Sequence, residues 1–246
     1  MSGPTSRGAR AVSRVGLLMC GHVDQRAEAV AGDYPDLFGA LLADESIELV
    51  RYDLDAGRFP DSERDCDGWL CSPARDSAYD PVGWIADAEE LHRRIVAAEV
   101  PYVGICFGHQ LLAQALGGRV ERAPGGWNVG VHEYVIDRQL PFMEPRVETI
   151  RLLASHQDQV VAVPQGATVF ARAPDGSCAV GGMAVGERAW TLQLHPEFVP
   201  ALAARLLDLR VDVIGTAKVD VARASLAAPL SRAVVARWIG RFFAGA

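Results

Sequence analysis

A cysteine lies at a predicted turn between a strand and a helix, near the middle of the chain. Residues 104–110 read GICFGHQ, with Cys106 between Gly104 and Gly108. The apolar residues just before this stretch predict a short strand, and those just after it predict a helix. The two glycines suit a tight turn that neighbouring backbone must approach closely. Since such a turn exposes its central side chain and the helix start favours a thiolate, Cys106 is predicted to be a nucleophile.

A second group capable of acid–base chemistry follows far downstream. Residues 190–194 alternate like a strand and lead into His-Pro-Glu at 195–197. Residues two apart in an extended segment point the same way, so Glu197 can hold one ring nitrogen of His195 while the other faces the thiol. A nucleophilic cysteine needs such a base, and the base needs an orienting group. A lone buried cysteine or histidine is usually structural, but together these residues predict a Cys106, His195 and Glu197 triad.

The first half of the chain predicts the parallel sheet that positions Cys106. Strands are predicted near 15–20, 47–52, 68–71 and 100–103, and helices near 36–44, 84–98 and 111–116. Alternating strands and helices of this kind form right-handed parallel crossovers in a doubly wound sheet. Such sheets bind ligands beyond the carboxyl ends of their strands, where His22, Ser72 and Cys106 are expected.

The second half predicts an extension of the sheet that returns His195 and Glu197 to the site. Short alternating segments are predicted at 129–136, 147–153, 168–172, 179–185 and 190–194, with two closing helices near 198–206 and 235–242. Their Pro and Gly punctuation is typical of antiparallel or mixed strands. The expected fold is α/β, a doubly wound, mostly parallel sheet with flanking helices and a small antiparallel extension. We expect one domain over 15–246, after a disordered leader at 1–14.

Four motifs carry a resemblance to a known family. Beside GICFGHQ and His-Pro-Glu, the chain has GWNVG at 126–130 and SHQDQV at 155–160. It resembles the class I (triad-type) glutamine amidotransferases, especially stand-alone members related to the glutaminase domain of GMP synthase. The similarity runs from about Val15 to the C-terminus. It implies a flavodoxin-like fold and hydrolysis of the glutamine side-chain amide through a γ-glutamyl thioester on Cys106.

The resemblance also implies roles for residues around the triad. The oxyanion donors are expected to be the backbone N–H of Phe107 and one from the loop at Cys71 and Ser72. Gln110 is expected to present its amide to the amino-acid head of the substrate. Trp127 and His156 are further candidates for the substrate pocket.

Two positions depart from the family pattern. Relatives carry glycine before Ser-Pro, whereas this chain has Cys71, and Asn128 replaces a glutamate. Cysteine keeps its backbone N–H but brings a Cβ to a place where backbone approaches substrate, and it adopts positive φ less freely than glycine. We therefore expect Cys71 to alter either the efficiency of the reaction or the choice of substrate.

Composition narrows the classes of partner. The 246 residues are 50% hydrophobic and 22% charged with a net charge of −7, and no basic stripe predicts a nucleic-acid partner. No stretch is long and apolar enough to predict a membrane span. The odd set of five cysteines has no paired spacing, which favours a reducing, cytoplasmic compartment. The His156 and Asp158 spacing fits no zinc signature, so neither metal nor another cofactor is expected.

Three functions remain open from the sequence. The first is a glutaminase subunit that passes ammonia to a separate synthase chain, because no phosphate-binding loop or second catalytic segment is seen. The second is a self-sufficient γ-glutamyl hydrolase or peptidase with the same triad, which Cys71 favours. The third is a pseudoenzyme that binds a γ-glutamyl metabolite, against which the intact triad argues.

Overall fold

The computed structural model describes residues 12–245, and most of the predicted leader, residues 1–11, lies outside them. The first strand begins at Ser13, two residues before the predicted start, because its first residue pairs with Ile47 of the second strand.

A sheet of nine strands organises the described residues. Its parallel half consists of β1 (Ser13–Met19), β2 (Ile47–Asp53), β3 (Gly68–Cys71), β4 (Tyr102–Ile105) and β11 (Ala189–Leu192), in the order β2-β1-β3-β4-β11. Both faces of β3, and of β1 from Val15 onward, are covered, which matches their continuous runs of buried, mostly apolar residues.

The sheet continues through antiparallel strands beside β11. These are β10 (Gly182–Val185), β9 (Ala167–Arg172), β6 (Asn128–Ile136) and β7 (Thr149–His156), in that order. Two further strands, β5 (Arg119–Arg122) and β8 (Asp158–Ala162), form a separate antiparallel pair. The predicted extension is therefore confirmed, and it contributes four strands to the main sheet.

Helices pack on both faces of the sheet. They are α1 (Gln25–Ala31), α2 (Tyr34–Leu41), α3 (Gly83–Ala97), α4 (Phe107–Ala115), α5 (Pro200–Leu209), α6 (Val211–Ile214), α7 (Thr216–Ser225) and α8 (Arg232–Phe243). One core contains Phe38 of α2 and Trp238 of α8. The other contains Leu91 of α3 and Leu111 of α4. This arrangement confirms the doubly wound α/β fold predicted from the sequence.

Several elements differ from their predicted bounds for local reasons. Helix α4 begins at Phe107, directly after Cys106, because the Gln110 N–H donates to the Cys106 carbonyl. Helix α2 begins before the predicted Asp36, where the Asp33 N–H donates to the Asp36 side chain at 3.0 Å. The missed elements include α1, which buries Ala27 alone, and β5, which buries Val120 alone. Such segments lack the apolar periodicity from which elements are predicted.

No helix in the part of the chain that the structure describes is long and apolar enough to cross a membrane.

Candidate active site

Cys106 adopts the strained backbone of a nucleophile elbow. Its φ is 51° and its ψ is −98°, between β4 and α4. A Cβ added to Gly104 would lie 2.5 Å from the Gly108 carbonyl oxygen, and one added to Gly108 would lie 2.8 Å from Cys71 Cβ. Side chains at either position would therefore force the turn open. A positive φ at a cysteine costs about 1–3 kcal/mol, so the surrounding packing holds this residue in place.

The start of α4 supplies electrostatic support for a thiolate. Cys106 is the residue that caps the helix, and Phe107 is its first residue. The first N–H groups of a helix have no partner within it and carry the positive end of its dipole. The Phe107 N–H, predicted as an oxyanion donor, belongs to this set. Its ring packs away from the cavity, 5.7 Å from the Trp84 ring.

The sheet brings the histidine segment beside the cysteine. Strands β4 and β11 are parallel neighbours with Ile105 opposite Leu192, and the Cys106 N–H donates to the Leu192 carbonyl at 2.8 Å. The residues that follow both strands therefore emerge side by side at the carboxyl edge. The His195 N–H also donates to the Leu153 carbonyl of β7 at 2.8 Å, so the antiparallel half anchors the same segment.

His195 and Glu197 form a buried pair. Nδ1 of His195 lies 2.7 Å from Oε1 of Glu197, and the exposed fractions of the two residues are 2% and 0%. The imidazole stacks on Phe198 with ring centroids 4.1 Å apart. Arg232 of α8 donates to the Pro196 carbonyl at 2.8 Å. These contacts fix the ring and leave Nε2 buried without a hydrogen-bond partner among the described residues.

Charge around the imidazole determines its protonation. Burial by itself opposes a charged ring, but the neighbouring Cys106 and Glu197 outweigh it and raise the pKa of His195 to about 10. The imidazolium is therefore the favoured form beside the sulfur at neutral pH. A protonated imidazole and a thiolate are the pair that a cysteine-dependent acyl transfer requires.

Gln193, which sequence reasoning missed, also contacts the sulfur. It precedes His195 by two residues, is fully buried, and places its Nε2 at 3.6 Å from Cys106 Sγ. Its Oε1 accepts a hydrogen bond from Gln110 Nε2 at 3.1 Å. The period-two argument that links His195 to Glu197 extends backward to Gln193 and could have found it.

Gln110 lines the cavity, but its amide nitrogen is occupied within the protein. Besides Gln193, Nε2 donates to the Asp158 carbonyl at 2.8 Å. The predicted contact of this amide nitrogen with the substrate head would therefore compete with two internal acceptors.

A cavity of about 360 Å³ opens in front of the sulfur, within the range of ligand sites. Among the residues predicted for the site, its lining includes Cys106, Gln110, Trp127, His156 and His195. Arg210, at the end of α5, lines it as well: its guanidinium lies 5.5 Å from the centre of the Trp127 ring and donates to Ser155 Oγ at 2.8 Å. No carboxylate among the described residues lies within ion-pair distance of Arg210.

His156 enters the same cavity as a neutral ring. Burial lowers its pKa to about 3, and Nδ1 donates to the Asp158 carbonyl at 3.0 Å. Nε2 is therefore a lone-pair acceptor, and it has no partner among the described residues.

Cys71 lies behind the site. It is fully buried, its Sγ is 3.4 Å from Cys20 Sγ, and its side chain packs against Gly108 rather than lining the cavity. Among the described residues, positive φ at a non-glycine occurs at Glu99 and Cys106, so position 71 does not require glycine. The Cys71 side chain therefore does not enter the cavity, and its expected effect on efficiency or substrate choice stays a prediction.

Ser72 uses its N–H and its hydroxyl in hydrogen bonds within the protein. Its N–H donates to the Leu18 carbonyl at 3.0 Å, and its Oγ accepts from the Cys20 N–H at 2.9 Å. β1 therefore uses the Ser72 N–H, and the second oxyanion donor expected from the loop at Cys71 and Ser72 stays a prediction.

One cluster has ligand atoms close enough for a metal ion. Atoms of His22, Asp53 and Asp55 lie within 4.8 Å of one another. Asp53 is already paired with Arg51 and Arg58, which neutralise its charge. The cluster therefore has the character of an ion-pair network.

The sequence of the chain is similar to those of known proteins. The sequence profile of the family described as glutamine amidotransferase class-I matches residues 41–211. A glutamine-hydrolyzing GMP synthase subunit from Halobacterium salinarum is 33% identical over 168 residues, covering 68% of this chain and 84% of the relative. Gamma-glutamyl peptidase 4 from Arabidopsis thaliana is 28% identical over 209 residues, covering 82% of each chain.

A solved structure shares the fold. A glutamine amidotransferase from Thermotoga maritima superposes with a TM-score of 0.76 at 18% identity, over 94% of this chain and 98% of its own. The profile match covers more than half of the residues. The chain therefore belongs to the class I glutamine amidotransferase family.

Proposed function

We propose that the protein hydrolyses a γ-glutamyl amide bond, with Cys106 as nucleophile, His195 as acid and base, and Glu197 as the group that orients His195. The observation that carries this proposal is a strained cysteine and an imidazole with a raised pKa in the lining of one cavity, together with a fully buried carboxylate hydrogen-bonded to that imidazole. Family membership alone would support only the general class of reaction.

The first half of the reaction forms a thioester. The Cys106 thiolate attacks the γ-carbonyl carbon, a sulfur–carbon bond forms, and the carbonyl electron pair moves to oxygen. The Phe107 N–H is placed to donate to this oxyanion. As the intermediate collapses, the carbon–nitrogen bond breaks and Nε2 of His195 gives its proton to the departing nitrogen. The absence of another partner for Nε2 among the described residues supports this role.

The second half consumes water. Neutral His195 takes a proton from water, whose oxygen attacks the thioester carbon. Collapse breaks the sulfur–carbon bond, releases glutamate and restores the thiolate beside the imidazolium. Glu197 accepts a hydrogen bond from Nδ1 throughout, which stabilises the charged ring.

Glutamine is the first candidate substrate. Similarity to the GMP synthase subunit from Halobacterium salinarum supports a glutaminase that supplies ammonia to a separate synthase chain. The free, buried state of all five cysteines supports a reducing, cytoplasmic compartment.

A γ-glutamyl peptide is the second candidate, and Arg210 favours it. This cation lines the cavity without an acidic partner among the described residues, and arginine is suited to hold a carboxylate. The carboxylate of a peptide leaving group would supply that partner. Similarity to relatives named gamma-glutamyl peptidases supports the same candidate.

Glutamate release by the purified chain tests both candidates. Substrates are glutamine, γ-glutamyl peptides, and the same peptides with an amidated C-terminus. The variant Cys106→Ser should lose activity by about 10³-fold or more. Preference for glutamine supports the glutaminase, and preference for peptides with a free carboxylate supports the peptidase.

Arg210 provides the discriminating variant. In the peptidase, Arg210→Met should raise KM about tenfold for the free-carboxylate peptide and leave the amidated peptide unchanged. Arg223→Met, which removes an exposed arginine paired with Asp208, is the matched control. Two negative results together would contradict the proposed hydrolysis and favour a binding-only pseudoenzyme. These are no glutamate release from any substrate and no adduct on Cys106 from an electrophilic glutamine analogue.

A further inference from the structure

We propose that Gln193 is a dedicated hydrogen-bond donor to the Cys106 thiolate, held in position by Gln110. The inference rests on the proposed function, since it assigns a role within the same hydrolysis. It also gives Gln110 a role other than contact with the substrate head.

The geometry leaves little freedom to the Gln193 side chain. The residue is fully buried, and its backbone N–H donates to the Gly181 carbonyl at 2.9 Å. Its Oε1 accepts from Gln110 Nε2 at 3.1 Å, so its own Nε2 faces Cys106 Sγ at 3.6 Å. A reversed amide would place Gln193 Oε1 against the sulfur and set Gln193 Nε2 against Gln110 Nε2, so that two donors would face each other. The network therefore selects the orientation in which Gln193 donates.

Gln110 is fixed in turn by the protein backbone. Its Nε2 also donates to the Asp158 carbonyl at 2.8 Å. The result is a connected set in which a backbone carbonyl orients one amide, and that amide orients the next against the sulfur. Gln110 is thus a positioning residue that acts through Gln193.

A donor at the sulfur serves a different step from the donor at the oxyanion. A hydrogen bond to a thiolate is stronger than one to a neutral thiol or thioester, because the charged acceptor is the better one. Gln193 therefore favours ionisation of Cys106 in the resting site. It also stabilises the sulfur as it leaves the second tetrahedral intermediate and the sulfur–carbon bond breaks. His195 Nε2 remains available for the departing nitrogen.

The rate of Cys106 alkylation by iodoacetamide, measured against pH by intact mass, tests the inference without any substrate. Gln193→Met removes the donor and keeps an unbranched side chain. Gln193→Glu keeps the shape but places an acceptor, charged at neutral pH, at the sulfur. We expect the pH midpoint of alkylation to rise by about one unit in Gln193→Met, a tenfold loss of thiolate below the midpoint, and further in Gln193→Glu.

Gln159→Met is the matched control, because Gln159 is also buried but lies outside the cavity lining. Its midpoint should equal that of the wild type. Gln110→Leu should shift the midpoint in the same direction as Gln193→Met, and it keeps the test open if a Gln193 variant fails to fold. Unchanged midpoints in folded Gln193 and Gln110 variants would overturn the inference. Failure of the proposed function would appear separately, as absent hydrolysis by a wild type whose alkylation profile still responds to Gln193.

Discussion

Individual charges determine how the His195 imidazole works. Two acidic neighbours, Cys106 and Glu197, keep the ring protonated in a buried site that would otherwise favour its neutral form. A base whose pKa is raised in this way stays charged through neutral pH and loses its proton only near pH 10.

Replacing Glu197 tests this balance. Glu197→Gln removes one negative charge, so the pKa of His195 should fall and the alkaline limb of kcat/KM should move to lower pH. The rate itself should drop on the order of 10²- to 10⁴-fold, as when the orienting carboxylate of other triads is lost. A pH–rate profile on the substrate that gives glutamate release measures both effects. Glu121→Gln, at an exposed pair with Arg119, should change neither. An alkaline limb that stays in place would contradict the assignment.

At the scale of elements, the turn between β4 and α4 depends on two close backbone approaches. Gly104 faces the Gly108 carbonyl, and Gly108 faces the end of β3 at Cys71. The strain at Cys106 persists because neither contact has room for a methyl group.

Gly104→Ala should therefore open the turn. Its Cβ would meet a backbone atom at 2.5 Å, which cannot move without shifting α4. We expect a loss of about 1–3 kcal/mol in the free energy of unfolding and loss of Cys106 labelling by the glutamine analogue. Gly39→Ala in α2 is the control, because its Cβ would meet nothing within 4 Å and should leave stability equal or higher. Equal stability and labelling in both variants would refute this account of the turn.

At the scale of the whole molecule, buried histidines couple folding to pH. Burial lowers the pKa of both His109 and His156 to about 3, against about 6.5 in an unfolded chain. Between these values the unfolded state binds protons that the native state does not, so stability falls as the pH falls. The raised pKa of His195 affects stability on the alkaline side. Its contribution to the free energy of unfolding is fully present below about pH 6.5 and is lost as the pH rises through about 10.

Denaturant unfolding at pH 7 and pH 5 measures this coupling. Each of the two histidines should lower the free energy of unfolding by about 2 kcal/mol at pH 5 relative to pH 7. His109→Gln should reduce that difference by about 2 kcal/mol, whatever it does to stability at pH 7. The quantity compared between variants is the difference between the free energies of unfolding that each variant shows at pH 7 and at pH 5. An unchanged difference in His109→Gln would show that another group carries the acid sensitivity.

Local stretches of sequence determined the elbow, the His-Pro-Glu segment and most of the parallel sheet. A tight turn, a buried strand and an amphipathic helix each need particular residues within a few positions, so short-range steric and hydrogen-bonding requirements reveal them. The approximate bounds of β1 through β4, and the alternation that brings Glu197 to His195, follow from such requirements.

The tertiary structure decided which side chains meet across neighbouring strands. The register of β4 against β11 places Gln193 on the sulfur, and the end of α5 brings Arg210 into the cavity. It also turns Cys71 away from the cavity and gives the Ser72 N–H to β1. These contacts join residues far apart in the chain, and their geometry follows from packing of the whole sheet, which no local pattern encodes.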